Sequence, residues 1–571
     1  MQTTSAPPLS IIHGPPLAEE DGLGALTLPG YLRELTRLYG EREALVFYDA
    51  DGRVERWSYG ELWARAEAVA RALVAAGVGK DERVGVLMTN RPEWVSSFFG
   101  IGLAGGVAVA LSTFSTPAEL DYLLQKSCVS ALLFERTVLK KDFAAILSEL
   151  EPQIARVGPG ALTSTKFPYL RRLAVVDGDA HGAIEAWDAF LASGASVDAA
   201  IIEARAGATR PADPGALFFS SGSTGSPKGI LNAHRGVAIQ CWRWRRILGF
   251  GDDVRSWSAN GFFWSANFAG ALGATLSAGG SVTLQQTFDP ADALQLIERE
   301  HLTRAFAWPH QHEQMAAAPN WNDADLSSLR YIDARTKLGQ HPSVTTSWVE
   351  THECYGATET FTLTAGFPSG TPQELMDGSH GAALPGNTIK IVDPISGETL
   401  ARGARGEIAV KGPTLMIGYI GMAPEDTFDA EGFFHTGDGG YIDEQDRLVW
   451  EGRLNSIIKT GGANVSPVEV DAVLATYSGV KIAQTVGVPH DSLGEIVVAC
   501  VVAHEGAELD EASIRDFLKQ SLASYKVPRR VLFMREDELA LTGSAKVKLS
   551  DLRDLAQKKL EAETSVRESA Q

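Results

Sequence analysis

The sequence is poor in the features that mark exported, membrane-spanning or nucleic-acid-binding chains. Its four cysteines, Cys128, Cys241, Cys354 and Cys500, lie far apart and form no Cys-x-x-Cys pair or other zinc spacing. They read as ordinary reduced thiols of a cytoplasmic protein. Positive charge is scarce: 51 lysines and arginines stand against 71 acidic residues, a formal net charge of −20. That balance opposes nonspecific attraction to DNA, RNA or an anionic membrane surface, while leaving room for a local basic pocket that takes phosphates. Long apolar runs are missing too. The longest, Phe98 to Leu111, is glycine-rich and well short of the ~20 residues a membrane-spanning helix needs, so a buried segment is expected. Met1 to Ala18 carries prolines and lacks the basic and continuous apolar regions of a secretory signal, so export is not expected.

What is present is enough apolar material, 44% of 571 residues, to bury several cores in two or more domains. Leu62, Ala66, Val69 and Leu73 recur at helical spacing, predicting an amphipathic helix over Gly60 to Val78. A strand is expected at Arg83 to Met88, a helix from Pro92 leading into a strand at Ala108 to Leu111, and another strand in Val129 to Phe134. Such alternation implies an α/β sheet covered on both faces. It returns in Trp257 to Leu284, where Gly279-Gly280 separates a helical stretch from the strand Ser281 to Leu284, and predicts a second layered unit. From Gly381 to Trp450 short strands and turns predict a small β subdomain, with strands at Thr388 to Val392, Gly406 to Lys411 and Arg447 to Trp450. Mixed elements then resume, with a strand over Glu495 to Ala503, a helix over Asp510 to Leu522 and a frayed tail at Glu561 to Gln571. The expected division is therefore a large α/β domain, 1–454, and a smaller α+β domain, 455–571.

The segment richest in chemistry is Ser220-Ser-Gly-Ser-Thr-Gly-Ser-Pro-Lys-Gly229, set between the apolar runs Ala216 to Phe219 and Ile230-Leu231. Strand, loop, strand is the natural reading. Glycines let backbone amides approach an anion, hydroxyls add donors, and Lys228 supplies a point charge suited to phosphate oxygens. A Ser/Gly linker would share the composition but not the Pro-Lys-Gly ending between two apolar runs. It is no Walker loop, because Gly229 rather than Ser or Thr follows Lys228. Nor does a Gly-x-Gly-x-x-Gly open a helix after the first strand, which disfavours a dinucleotide-binding oxidoreductase.

This loop resembles the signature phosphate loop of the adenylate-forming superfamily, which contains acyl-CoA synthetases, peptide-synthetase adenylation domains and beetle luciferases. Tyr355-Gly-Ala-Thr-Glu359, Thr436-Gly-Asp438, Gly452-Arg453 and Ala545-Lys546-Val547 match further motifs in the family's order, so the resemblance runs from about Tyr31 to Leu552. It implies two layered α/β subdomains and a β subdomain in the large domain, and a mobile C-terminal lid with its hinge at Asn455. It implies that Ser221, Gly222, Ser223, Thr224, Gly225 and Lys228 hold the ATP phosphates. Thr358, with Gly356 beside it, would meet the α-phosphate, and Tyr355 would lie against adenine. Glu359 would be the Mg²⁺ ligand, a hard oxygen donor suited to that ion. Asp438 would accept from the ribose hydroxyls and Arg453 would donate to the ribose. Lys546, with Glu359 and Thr224, would be catalytic, its charge aimed at the negative charge that builds during attack.

The Thr460-Gly-Gly-Ala-Asn464 loop is similar to the Gly-Gly loop of acyl-CoA synthetases and assigns Gly461 and Gly462 to coenzyme A. Phe263, Trp264 and Phe268 are expected to line an acyl pocket. Trp264 stands where many acyl-CoA ligases carry histidine, and no carboxylate waits nearby for an amine, so an apolar acid fits. Core packing alone would also explain these aromatics. The resemblance thus implies an acid:CoA ligase using ATP, Mg²⁺ and CoA, without nucleic acid or stable membrane insertion, and compatible with a homodimer. Transfer to a carrier protein or an amine, or a nucleotide-binding pseudoenzyme, are the alternatives. The second is motivated by departures from the family pattern: Asp333-Ala-Arg-Thr-Lys-Leu338 replaces a small-residue stretch, Asn455 an Asp or Lys, Ala463 a Glu and Ala545 a Gly.

Overall fold

The computed structural model describes residues 8–49, 52–220, 227–351, 353–454, 458–460, 463–490, 493–522, 526–539, 547 and 549–569. The chain divides into two compact units. One comprises Ile12–Ile389 and Val410–Phe434, the other Met1–Ile11, Lys390–Ala409 and His435–Gln571.

The larger unit holds an eight-stranded sheet in the order Ile184–Ala186, Arg172–Val176, Ala131–Glu135, Arg83–Leu87, Val107–Ala110, Pro214–Ser220, Lys228–Ala233, Gly418–Tyr419. It is parallel up to Pro214–Ser220 and antiparallel beyond it. Period-two alternation sorts its side chains onto two covered faces: Ala131 and Leu133 join one core, Leu132 and Phe134 the other. The first core also takes the helix Tyr59–Ala75, opened by a Ser58–Glu61 capping box, and the helix Pro92–Leu103, in which every residue but Glu93 is buried. The expected strands are there. The helix predicted to reach Val78 ends at Ala75, because Gly77 turns the chain at φ 85°.

A second sheet orders Arg304–Phe306, Arg255–Ser258, Ser281–Leu284, Glu43–Tyr48 and Val54–Ser58, so the second layered unit is present. The helical stretch ahead of Ser281 is continuous from Ser265 to Ser277 but carries a π-helical turn at Phe268–Gly273. A three-stranded sheet joins Tyr355–Ala357, Thr362–Gly366 and Ala382–Ala383.

Strands appear where the β subdomain was expected, at Thr388–Val392, Gly406–Lys411 and Leu448–Arg453, the last of them in the other unit. Further on, a sheet pairs Ala463–Val465, Ile458–Thr460, Gly494–Ala503 and Val480–His490 in that order, with Arg530–Phe533 added parallel to Gly494–Ala503. Asp510 caps the helix Glu511–Leu518 by accepting from the Ser513 amide at 2.9 Å. The tail differs from expectation. Helix Leu549–Ser569 runs through Glu561, because Leu552 and Ala556 anchor its first half in the core of this unit. Among the described residues, no helix is long and apolar enough to cross a membrane.

Candidate active site

The glycine- and serine-rich loop is the connection of a tight antiparallel pair. Ser220 and Lys228 are cross-strand partners, followed by Phe219 with Gly229 and Phe218 with Ile230. Strand follows the loop, not helix, as the sequence indicates. Ser221, Gly222, Ser223, Thr224 and Gly225 lie outside the described residues, as do Asn455, Gly461, Gly462 and Lys546. Lys228 is described: its Nζ lies over the Tyr419 ring, 4.9 Å from the centroid. Such a contact holds an ammonium group by ring-quadrupole attraction.

Tyr355, buried at 5% exposure, starts the short strand Tyr355–Ala357. Its neighbour must be glycine. A Cβ on Gly356 would fall 1.5 Å from the Thr362 carbonyl oxygen, so the returning strand can come this close only to a backbone without a side chain. Thr358, Glu359 and Thr360 then form a 3₁₀ turn, with Thr358 and Glu359 half-buried. The return from that turn is strained: Phe361 and Thr362 adopt φ of 46° and 95°. A β-branched residue there costs on the order of 1–3 kcal/mol. Buried partners hold it. Thr360 Oγ1 donates to the Thr362 carbonyl at 2.9 Å, and Gln240 Nε2 donates to Thr360 O at 3.2 Å and Leu363 O at 2.7 Å. Trp244 Nε1 donates to Thr362 Oγ1 at 2.9 Å. Gln240 and Trp244 both stand on the helix His234–Ile247. The Glu359 carboxylate is held as well, its Oε1 accepting from the Tyr419 hydroxyl at 2.8 Å.

Asp438 and Arg453 come from motifs far apart in sequence and meet as cross-strand partners in the hairpin of Phe434–Ile442 and Leu448–Arg453. Arg453 Nε sits 3.1 Å from Asp438 Oδ1, and its Nη1 donates to Thr436 O at 2.8 Å. Asp438 is 5% exposed, whereas the Arg453 side chain is 54% exposed. The pair therefore offers one sealed carboxylate and one outward guanidinium. Thr436 supports it from below, donating to Ile408 O at 2.7 Å and accepting from the Asp438 amide at 3.1 Å.

The three aromatics assigned to an acyl pocket part company. Phe268 is fully buried, packed on Phe98 at 4.4 Å between ring centroids and on Trp94 at 5.9 Å, and belongs to the core. Trp264 is half-buried, 4.6 Å from Phe263 and 5.2 Å from Trp308 by ring centroids. It stacks at 21° on Phe114, whose exposure of 56% is unusual for so large an apolar ring. Buried amides fix the loop that carries it. Asn90 donates to Asn260 O at 2.8 Å and accepts from the Phe262 amide at 3.0 Å, and Gln311 donates to Asn260 Oδ1 at 3.2 Å.

Comparison with known proteins covers most of the chain. Residues 32–420 match the AMP-binding enzyme family and residues 469–546 the AMP-binding enzyme C-terminal domain. The chain belongs to the AMP-binding enzyme family. A relative from Mycobacterium tuberculosis (strain ATCC 25618 / H37Rv), 3-[(3aS,4S,7aS)-7a-methyl-1,5-dioxo-octahydro-1H-inden-4-yl]propanoyl:CoA ligase, is 32% identical over 539 residues, 93% of this chain and 99% of that protein. Feruloyl-CoA synthase of an Amycolatopsis species is 31% identical over 507 residues, 87% of this chain and 93% of that one. The crystal structure of ATP-bound MatB from Rhodopseudomonas palustris matches with a TM-score of 0.71 at 27% identity, covering 92% of this chain and 99% of that one. Within the AMP-binding enzymes, the chain stands close to the acyl-CoA synthetases.

Sequence reasoning did not single out Tyr419, Gln240, Trp244, Phe114 or Trp308. Trp308 had a signal: an aromatic residue just before Pro309, which opens the helix Pro309–Ala316. The others act through contacts from distant parts of the chain, which no local pattern announces.

Proposed function

We propose that this AMP-forming acid:CoA ligase activates a hydrophobic carboxylic acid of aryl, fatty or polycyclic type. The observation that carries the reading is the exposed Phe114 beside half-buried Trp264 and Trp308, backed by the buried Phe263, with the loop that carries Phe263 and Trp264 fixed by buried amides. Aromatic walls with few polar groups bind apolar acids.

In the proposed first step the acid's carboxylate attacks the α-phosphorus of ATP and pyrophosphate leaves, giving an acyl-adenylate. Lys228 and the loop 221–225 hold the phosphates, and Thr358 donates to the α-phosphate. Tyr355 supports adenine, while Asp438 accepts from the ribose and Arg453 donates to it. Among the described residues, no three His, Cys, Asp or Glu side chains gather to hold a metal unaided. A single carboxylate, Glu359, with one oxygen already fixed, fits Mg²⁺, which takes one or two protein carboxylates and fills its remaining positions with phosphate oxygens and water. When bound, Mg²⁺ would neutralise charge on the leaving phosphates. Lys546 then stabilises the charge that develops between carboxylate and α-phosphate. In the second step the CoA thiol attacks the acyl carbon and AMP departs, so one hard displacement becomes two easier ones. The domain 455–571 turns about Asn455 between the steps and brings Gly461 and Gly462 to the pantetheine. A cytoplasmic setting, where ATP and reduced CoA are both at hand, suits this chemistry.

The test is an acid panel with ATP, Mg²⁺ and CoA, reading AMP and thioester. Apolar acids are expected to react, and Trp264→Ala to shift preference toward larger acids with less than about a twofold change in KM for ATP, since only side-chain volume is removed. An unchanged acid profile would return Trp264 to packing. AMP release that needs a carrier protein or an amine in place of CoA would overturn the acceptor.

A further inference from the structure

We propose that Tyr419 is a positioning residue for adenylation, orienting the Glu359 carboxylate with its hydroxyl and steadying the Lys228 ammonium with its ring. The inference rests on the reading of Glu359 as the Mg²⁺ ligand. Its basis is the segment around Tyr419, which ties together two elements that come from separate motifs.

Met416 N donates to the Glu359 carbonyl at 2.7 Å, so the segment begins against the 3₁₀ turn. Ile417 N then donates to Leu231 O at 2.7 Å and Ile420 N to Gly229 O at 2.9 Å, so it ends against the strand that starts at Lys228. Tyr419 itself pairs with Ile230 in that ladder. From this place the one side chain reaches both ways. Its hydroxyl donates to Glu359 Oε1 at 2.8 Å, and its ring faces Lys228 Nζ at 4.9 Å.

The chemistry of the contact favours orientation over bulk. A phenol is neutral and a donor at physiological pH, and a carboxylate has two oxygens. Committing Oε1 to Tyr419 fixes the carboxylate plane and leaves Oε2 to face a cation. Partners of this kind, one bond removed from a metal, set the direction of the ligand, and their loss typically costs about 10- to 100-fold in metal affinity or activity. The ring contact adds a second restraint. Lys228 has a long, flexible stem, and an aromatic face limits where its charge rests.

The test is Mg²⁺ dependence of acyl-adenylate formation in the full-length enzyme, with Tyr419→Phe, Tyr419→Leu, Glu359→Gln and the Tyr419→Phe/Glu359→Gln double variant. Tyr419→Phe keeps the ring and removes the donor. It is expected to raise the Mg²⁺ concentration for half-activity about 10-fold, with excess Mg²⁺ recovering most of kcat. Tyr419→Leu should add a rise in KM for ATP, since Lys228 loses its platform. If the hydroxyl works through Glu359, the double variant is no worse than Glu359→Gln alone. A double variant impaired by the product of the two single effects overturns the inference. So does a normal Mg²⁺ profile in Tyr419→Phe while Glu359→Gln is shifted. Normal profiles in both single variants overturn the metal reading of Glu359 itself. Matching thermal unfolding of Tyr419→Phe and the parent enzyme separates orientation from misfolding.

Discussion

Asp471→Asn is expected to stabilise the sheet formed by Val480–His490 and Gly494–Ala503, increasingly as pH rises from about 4 to 7 and fully above that. Asp471 stands on the helix Pro467–Leu474, which packs against Val480–His490. The residue as a whole is half-buried, yet its Oδ1 is sealed from solvent and has no hydrogen-bond partner among the described residues. Burial pushes its pKa up to about 7 from the usual 3.8, with the neighbouring Thr485 opposing the shift. The nearby Cys500 thiol, pushed by burial up to about 12, stays neutral over this range. Between about pH 4 and 7 the folded state keeps a proton that the unfolded chain has lost. Stability therefore falls as pH rises through that window, and the loss is complete above it. A gap of about three units corresponds to roughly 4 kcal/mol at most, and partial exposure reduces it to about 2 kcal/mol. Asparagine never ionises and escapes the cost. Hydrogen exchange of these two strands, compared between parent and variant at matched pH, should show similar protection at pH 4.5 and roughly 30-fold greater protection in the variant at pH 8. Equal protection at both pH values would refute the reasoning, because a carboxylate that ionises freely in place has no such penalty.

Two further outcomes concern the reaction. Lys546→Ala should lose acyl-adenylate formation by about 10²-fold or more, yet still convert supplied acyl-adenylate and CoA to thioester, while Gly462→Leu should do the reverse. Equal loss of both half-reactions by folded Lys546→Ala would sink the lid mechanism, and loss of adenylation by Lys548→Ala alone would show that the lysine was misaligned. Gln240→Leu removes two bonds that hold the strained Phe361–Thr362 return, and should slow adenylation about 10-fold while leaving the thioester half-reaction near normal. Equal effects on the two half-reactions would make Gln240 a general stability residue.

The parts of this molecule that were legible in the sequence share a physical basis: each depends on residues close along the chain. The strands declared themselves because short continuous apolar runs are a local pattern, as in Val107–Ala110 and Ala131–Glu135, which are buried throughout, and Gly279-Gly280 correctly divided helix from strand before Ser281. The tail misled because its charged surface pattern hides Leu552 and Ala556, whose burial comes from strands distant in sequence. The same divide runs through the candidate site. Tyr355, Glu359, Asp438 and Arg453, the residues proposed for the ATP site, stand in short motifs and could be named one by one, but not their contacts. That Asp438 faces Arg453 across a hairpin follows from strand register, and that Glu359 meets Tyr419 follows from a two-residue strand added to the edge of the large sheet. Phe268 shows the reverse case. Sequence proximity to Trp264 suggested a shared role, yet the helical segment from Ser265 to Ser277 turns Phe268 inward onto Phe98 while Trp264 precedes that segment and stays half-exposed. Motifs therefore name the candidate reacting groups, while register and helix phase decide which groups hold them. The supporting residues Tyr419, Gln240 and Trp244 are where a substitution can weaken catalysis while leaving every motif intact.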